Sequence, residues 1–509
     1  MATHNRYNIL VIFFVALGSF TYGLNSAIVG SILGLDSFLN YFNFILTGPG
    51  SEKTNGLIGA INGLFASGGF IGCWIVPQLL NALGRRRAIQ FSAALCIVSA
   101  ALQAGATHVA VLLVGRFLNG MGIGMMDVAV PIYQSEISPA KVRGRMVGTH
   151  GFLVVTGYAM AGWVGLICFF IKNPSLQWRL CLASQIIAPL LLLIGSPWMP
   201  ESPRWLCVKD RDNDALDVLI KLHHTPEDTE DTLARHELQE IMAQLRIEKE
   251  TTGPAGWRTA FGKKSFRRRM LYGFFVQCIA QSTGVLVVNN YQILLYNNLG
   301  LTSWTPLLLY ACYNSWAAFM NWVNAMMLDR WGRIRIMLTG LVGCSLSLSG
   351  FAAMVAQFAG GDNRLGNGFG VFFLYLFVTF YGGTLDASSY VYCAEIFPTS
   401  IRAQGVGFSV SGLFTMTILY TQTAPTAFAA IGWRFYLVFI LVPWLGVYVL
   451  WKYMPETAGR TLEEIDVLFG DRDATAEMGE AGGKHPSSLT PSASVQEMEK
   501  AVVQPVAKV

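Results

Sequence analysis

Apolar stretches of membrane length, on both sides of one charged island, constrain this chain more than anything else in it. The island runs from Met199 to Arg269. From Pro200 onward its 70 residues hold 13 Lys or Arg and 13 Asp or Glu, so 26 of the 67 charged residues of the 509-residue chain fall there. A bilayer crossing needs roughly 20 apolar residues. Scanning on that basis places spans at Ile9–Leu33, Leu57–Leu80, Ala88–Thr107, Ala110–Tyr133, Met146–Ile171 and Leu180–Met199 before the island. It places Met270–Leu299, Trp304–Leu328, Ile334–Gln357, Gly368–Cys393, Ala403–Ala430 and Trp433–Met454 after it. The chain is 53% hydrophobic and 13% charged, with a mean hydropathy of +0.44. A soluble protein of this length could not hide that much apolar surface. The fold class expected is all-α: a polytopic membrane protein of twelve transmembrane helices. The expected division is a six-helix half at 1–199, a cytosolic connector at 200–269, a second half at 270–456, and a cytosolic motif with a disordered tail at 457–509.

The placement of Lys and Arg in short loops sets orientation. Alternate loops carry Arg85-Arg86-Arg87, then Lys141, Arg143 and Arg145, then Arg330, Arg333 and Arg335, then Arg402; the others carry only Lys53, Lys172, Arg179, Arg364 and Arg434. The first set is expected to be cytosolic, with the connector and both termini. Ile9–Leu33 is too long for a signal-peptide core and is expected to be a retained first helix. The tail from about Gly470 is rich in Ala, Glu, Ser, Pro and Lys, a composition that favours disorder.

The two halves repeat. Leu83-Gly84-Arg85 recurs as Trp331-Gly332-Arg333, Glu136-Ile137-Ser138-Pro139 as Glu395-Ile396-Phe397-Pro398, and Pro200-Glu201-Ser202 as Pro455-Glu456-Thr457. The offsets lie between 248 and 259 residues and keep one order, which indicates a duplicated six-helix unit. Parallel repeats of this kind are one architecture of secondary transporters, with the solute held near the midplane between the halves.

These motifs, with Gly115-Arg116-Phe117, Pro131-Ile132-Tyr133-Gln134-Ser135-Glu136, Pro200-Glu201-Ser202-Pro203-Arg204-Trp205-Leu206, Asp329-Arg330-Trp331-Gly332-Arg333 and Pro455-Glu456-Thr457-Ala458-Gly459-Arg460, resemble those of the sugar porter family of the major facilitator superfamily. The resemblance runs to about Phe469 and has a fungal flavour. It implies a major facilitator fold and a plasma-membrane carrier that works by alternating access. It also implies that Arg85, Glu136, Arg143, Glu201, Arg204, Asp329, Arg333, Glu395, Arg402, Glu456 and Arg460 form cytosolic gating pairs at helix ends, locking the halves in one state.

In the membrane interior the chain departs from the family. Where many relatives carry Gly-Tyr-Asp or Gly-Tyr-Asn on the first helix, this chain has Gly23-Leu24-Asn25. Asn cannot titrate, so the alternatives are a uniporter or an Asn25 that only bonds a neighbouring helix. Arg116, which resembles the partner of the missing Asp, would then lack its acid. On the seventh span the family's Gln-Gln-x-x-Gly-x-Asn appears as Ala280-Gln281-Ser282-Thr283-Gly284-Val285-Leu286, and on the fifth Gly151 stands where a Gln is usual, beside His150. Replacement groups are present. Gln277 and Gln281 share a helix face, and Asn289, Asn290 and Tyr291 follow Gly284. Gln277, Gln281, Asn289, Asn290, Asn25, Asn314 and Tyr390 are the candidate substrate-binding residues, with interhelical glue as the duller alternative.

Asp127 and Asp386 each lie nine residues before the repeated glutamate, about 13 Å of helix and so near the midplane. A carboxylate there is costly and points to function; the alternative is a structural salt bridge, although Asp127 and Arg116 are about three turns apart. Asp127, Asp386 and Arg116 are thus candidates for proton or cation coupling, or for holding an amine-bearing solute. No metal, cofactor or disulfide is expected: the nine cysteines form no CxxC pair. No enzyme motif is present, and His150 alone suggests a packing donor. The expected partners are a small polar solute and the bilayer, with protons left open, no nucleic acid, and a monomeric chain. Hexose leads as solute. Alternatives are a polyol, sugar acid, amine-bearing or secondary metabolite, or a non-transporting sugar sensor, which would have a longer tail than the roughly forty residues here.

Overall fold

The computed structural model describes residues 6–45, 48, 50–138, 143–223, 231–251, 256–298, 301, 303–358, 363–458, 465, 468 and 469. Among them the regular structure is helical throughout. Twelve long apolar helices are α1 (Tyr7–Ile32), α2 (Ser51–Leu83), α3 (Arg85–Ala104), α4 (Val109–Ile137), α5 (Arg143–Phe169), α6 (Pro174–Trp198), α7 (Lys264–Asn297), α8 (Thr305–Trp331), α9 (Arg333–Phe358), α10 (Leu365–Glu395), α11 (Arg402–Ile431) and α12 (Tyr436–Tyr453). By hydropathy and length alone, ten continuous segments could cross a membrane. The difference is physical. A 3-10 turn runs α11 straight into α12, and α8 is diluted by the buried amides Asn314, Asn321 and Asn324.

These helices are inside-out relative to those of a soluble protein. Phe13, Val114, Ile194, Leu346, Leu441 and Trp451 are exposed, whereas Asn25, Asn62, Asn119, Gln134, Gln292 and Arg116 are buried. Lipid tails solvate the apolar rim, and the polar groups find partners only inward. Because lipid supplies no hydrophobic drive between helices, packing relies on small residues. At Gly120 an added Cβ would sit 1.8 Å from the carbonyl oxygen of Phe65, and at Gly23 1.8 Å from that of Val154. Those two glycines set the close approach of α4 to α2 and of α1 to α5. Between the first and last six helices, α2 lies along α11 and α5 along α8.

The island between α6 and α7 has its own small core. Pro203–Val208, Asp212–His223 and Thr232–Thr251 are helices. Ala215, Leu219 and Leu222 fall on one face at helical spacing, and Leu206, Cys207, Ala234 and Ile241 pack into the same cluster. His223 Nε2 meets Glu237 Oε2 at 2.6 Å across two of these helices. Further on, Trp257 stacks on Trp74 of α2 at 4.4 Å between ring centroids, with Phe408 of α11 edge-on to the same ring at 5.7 Å.

Candidate substrate and coupling site

Helix α7 is two helices in line. Lys264–Gln281 ends at Ser282, and Val285–Asn298 starts after Gly284, whose φ is +86°. A side chain at Gly284 would strain that backbone and would place its Cβ 2.7 Å from the Phe439 ring. Gln277 and Gln281 lie before the break, Asn289 and Asn290 after it, and all four are buried. Gln277 Nε2 reaches Cys393 Sγ at 3.8 Å, Gln281 Nε2 reaches Tyr381 Oη at 3.4 Å, and Asn290 Nδ2 donates to the Leu286 carbonyl at 2.9 Å. Among the described residues, the side-chain oxygens of all four accept no hydrogen bond. Buried polar atoms are almost always paired. A row of four buried acceptors is suited to a ligand that brings hydroxyl donors.

Neighbouring hydroxyls close the polar region on other sides. Tyr310 Oη of α8 donates to the Ala27 carbonyl of α1 at 3.1 Å, and Asn314 Nδ2 donates to the Tyr310 carbonyl at 3.0 Å. Asn62 Nδ2 of α2 donates to Tyr291 Oη at 3.1 Å, and Tyr291 in turn donates to the Thr421 carbonyl of α11 at 2.8 Å.

Asn25 has its side chain committed to packing. Its Nδ2 donates to the Thr21 carbonyl at 2.7 Å, and its Oδ1 accepts from Asn119 Nδ2 at 2.8 Å. Arg116 Nη1 donates to the Asn25 main-chain oxygen at 3.0 Å, and the guanidinium lies 4.1 Å over the Phe65 ring. Among the described residues no carboxylate is within ion-pair distance of Arg116, and its Nη2 has no hydrogen-bond partner. Asn25 thus joins α1 to α4 rather than facing a solute, and Arg116 is held by carbonyls and a ring face.

The two acids sit on α4 and α10, within electrostatic reach of each other. Asp127 Oδ1 of α4 is 3.2 Å from His150 Nε2 of α5, and Asp127 Oδ2 accepts from Tyr390 Oη of α10 at 3.2 Å. His150 Nδ1 is 2.8 Å from Ser19 Oγ of α1. Asp386 Oδ2 accepts from Asn321 Nδ2 of α8 at 2.5 Å. Just before Asp386, α10 loosens into a π-helical turn at Tyr381–Leu385, a distortion that often marks functional sites. Tyr390, on α10, thus donates its hydroxyl to Asp127 on α4. The Asp127–Arg116 salt bridge weighed as an alternative is absent among the described residues.

The charges at the Arg-rich helix ends form two copies of one device. Arg85 holds Glu136 bidentately at 2.8 and 2.7 Å, and Glu201 Oε1 accepts from the Arg85 amide at 2.8 Å. Arg333 holds Glu395 at 3.2 and 2.8 Å, and Glu456 accepts from the amides of Arg333 and Ile334 at 2.8 and 2.9 Å. Glu201 and Glu456 thereby cap the starts of α3 and α9, where free amides and the helix dipole favour an anion. Gly84 (φ +91°) and Gly332 (φ +87°) precede those starts, and a Cβ would lie 2.5 and 2.8 Å from the capping carboxylates. One expectation needs correction. These bidentate pairs are each made within the first or within the last six helices, so they do not themselves fasten one set to the other. Arg204 lies in electrostatic reach of Glu136, and Arg402 turns back to the Phe397 carbonyl at 3.4 Å. Arg460 and the side chains of Arg143 and Asp329 lie outside the described residues.

Sequence reasoning missed three members of the site. His150 seemed a lone histidine because its partner lies on another helix. Ser19 carried no signal. Asn321 did: Asn314, Asn321 and Asn324 share one helical face of α8. A Cβ at Gly151 would lie 3.2 Å from Asn321 Oδ1. The amide at that level thus comes from α8.

Comparison with known proteins places the chain in a family. Residues 11–469 match the family described as "Sugar (and other) transporter". The chain is 32% identical over 456 residues to the MFS-type transporter criB of Aspergillus cristatus, covering 89% of this chain and 92% of that one. It is 30% identical over 484 residues to the high-affinity glucose transporter of Kluyveromyces lactis, covering 91% and 86%. Its fold matches that of the proton:xylose symporter XylE bound to 6-bromo-6-deoxy-D-glucose, with a TM-score of 0.78 at 22% identity over 91% of this chain and 99% of that one.

Proposed function

Because the chain belongs to the sugar (and other) transporter family, we propose that it is a membrane carrier that moves a small polar solute, with a hexose the leading candidate, by alternating access. In this reading α1–α6 and α7–α12 are the two rocking halves, joined by the connector at 200–269. The charged helix ends, the connector and both termini face the cytosol, and the membrane is the plasma membrane. The observation that carries the reading is the row of unpartnered acceptors on the broken helix α7, from Gln277, Gln281, Asn289 and Asn290. Sugars carry several hydroxyl donors, and a site that bonds each one gains specificity from each. The naming of the K. lactis relative as a glucose transporter supports hexose. The capped pairs Arg85–Glu136–Glu201 and Arg333–Glu395–Glu456 stiffen each half, so that the halves move as bodies.

A second reading has a specific observation behind it. Ala280, Leu286 and Gly151 replace polar groups that hold sugar in relatives, so the solute could be a polyol, a sugar acid or another metabolite. Solute counterflow tests both. Purified protein in liposomes would be preloaded with each of a panel of hexoses, pentoses, polyols, sugar acids and amines. Counterflow of D-glucose or a close hexose supports the sugar reading; counterflow confined to non-sugars refutes it. No counterflow with any solute refutes the carrier reading and favours a sensor.

A further inference from the structure

We propose that Asp127 and His150 form one proton-binding site, and that Tyr390 links its occupancy to contact between the two sets of six helices. The proposal deepens the carrier reading above and rests on it. Asp127 Oδ1 and His150 Nε2 face each other at 3.2 Å, both side chains are buried, and neither atom has an aligned hydrogen-bond partner. Two such atoms at that distance define a place for a shared proton. The imidazole is oriented for it: Ser19 Oγ holds Nδ1 at 2.8 Å, and the Tyr390 ring meets the imidazole edge-on at 5.2 Å between centroids. The remaining carboxylate oxygen accepts the Tyr390 hydroxyl. Side chains of α5 and α10 thus meet the carboxylate on α4, and α1 reaches it through the imidazole.

The surroundings favour added positive charge at the pair. The titratable groups that face Asp127 are Tyr22 of α1, Cys73 of α2, His150 and Tyr158 of α5, and Asp386 and Tyr390 of α10. One imidazole faces two carboxylates, so the cluster has room for further positive charge. A cavity lined by Ser135, His150, Gly151, Tyr390, Cys393 and Arg402 borders the imidazole and has about 20 Å³ of space open to water-sized groups. That admits a water.

Occupancy and closure are coupled through one atom. A proton on Asp127 Oδ2 turns the acceptor used by Tyr390 into a donor and breaks the bond between α4 and α10 as it stands. With Nδ1–H donated to Ser19 Oγ, a proton added at His150 Nε2 instead gives an imidazolium that bonds Oδ1 and leaves Tyr390 in place. A ligand that one conformation binds differently from another shifts the balance between them, and the reverse holds equally. Solute-driven closure would therefore take up or release a proton here. Asn25 then need not titrate.

The experiment uses the full-length chain in proteoliposomes with a pH-sensitive dye inside and D-glucose, or the panel solute with the strongest counterflow, outside. Expected results are acidification of the lumen on solute addition and, with a one-unit inward proton gradient, up to about tenfold accumulation for one proton per solute. Asp127→Asn should reduce the accumulation ratio to one while counterflow persists. His150→Gln, the second variant should Asp127→Asn fail to fold, should do the same. Tyr390→Phe should still accumulate solute with a displaced pH profile. Robust counterflow without proton movement in the unmodified protein overturns this proposal and leaves the carrier reading standing. Undiminished accumulation in Asp127→Asn and His150→Gln overturns it too, as does amine counterflow lost in Asp127→Asn with no proton movement. Absence of any counterflow removes the carrier reading and this proposal together.

Discussion

Gln281→Leu separates the two roles open to the polar groups of α7. As interhelical glue, Gln281 would stabilise the fold through its one protein contact, Nε2 to Tyr381 Oη. That contact is long, at 3.4 Å, and a typical net hydrogen bond contributes only about 0.5–1.5 kcal/mol, with long ones at the low end. Against it stands the buried Oε1, which accepts nothing from the protein; a buried unsatisfied acceptor costs about 1–3 kcal/mol. Replacing the amide by an apolar side chain of similar size removes both terms, so the unliganded protein should be no less stable than wild type. Solute binding should respond in the opposite direction. If a hydroxyl donates to Oε1, its loss costs about 1.4 kcal/mol, or tenfold in affinity. The assay pairs thermal unfolding of purified protein in detergent with the concentration dependence of counterflow. Unchanged or raised Tm with about tenfold weaker solute binding is expected. A lower Tm with unchanged affinity would refute the reasoning and make Gln281 a packing residue.

Three further outcomes follow from the same structure. Glu136→Gln breaks the bidentate pair with Arg85, whose side chains are 9% and 11% exposed; removing one partner of a buried pair costs about 3–5 kcal/mol, so expression and Tm should fall sharply, and Glu395→Gln, at a side chain 26% exposed, should have the same direction and a smaller size. Gly284→Ala strains the left-handed backbone by roughly 1–2 kcal/mol and presses on Phe439; the Tm should drop and counterflow should slow, and an unaltered protein would show that the α7 break is not held by that glycine. Burial, with the Asp212 carboxylate nearby, pushes the Cys207 thiol up to about 11. The thiol therefore stays protonated at neutral pH in the folded chain while an unfolded thiol ionises nearer 9, so this group's contribution to stability is fully present below about pH 9 and is lost as pH rises through 11. Iodoacetamide labelling of Cys207, read by peptide mass spectrometry, should stay slow at pH 8 and accelerate toward pH 11; rapid labelling at pH 7 would contradict it.

Span positions were legible because lipid enforces them locally. Twenty apolar residues with no place in water must cross, and the helices begin and end within a few residues of where composition places the spans. Fully legible motifs, such as Gly84-Arg85 and Gly332-Arg333, proved to be capped helix starts with a carboxylate where a Cβ would be. Their spacing could not show that each cluster stays within its own six helices. The connector looked polar, yet Ala215, Leu219 and Leu222 lay at helical spacing, and its small core could have been read from them.

The sequence by itself determined the solvent, the number of crossings and the family, because each depends on residues near one another in the chain. Only the tertiary structure decided what those residues touch. Asn25 became a tie between α1 and α4, Arg116 was left without an acid, and His150, 23 positions from Asp127 in the chain, became its partner. In an interior without water, a polar side chain must take whichever donor or acceptor the neighbouring helices bring within about 3 Å. Which helices those are depends on glycine contacts and helix breaks spread over the whole chain, and no local pattern reports it.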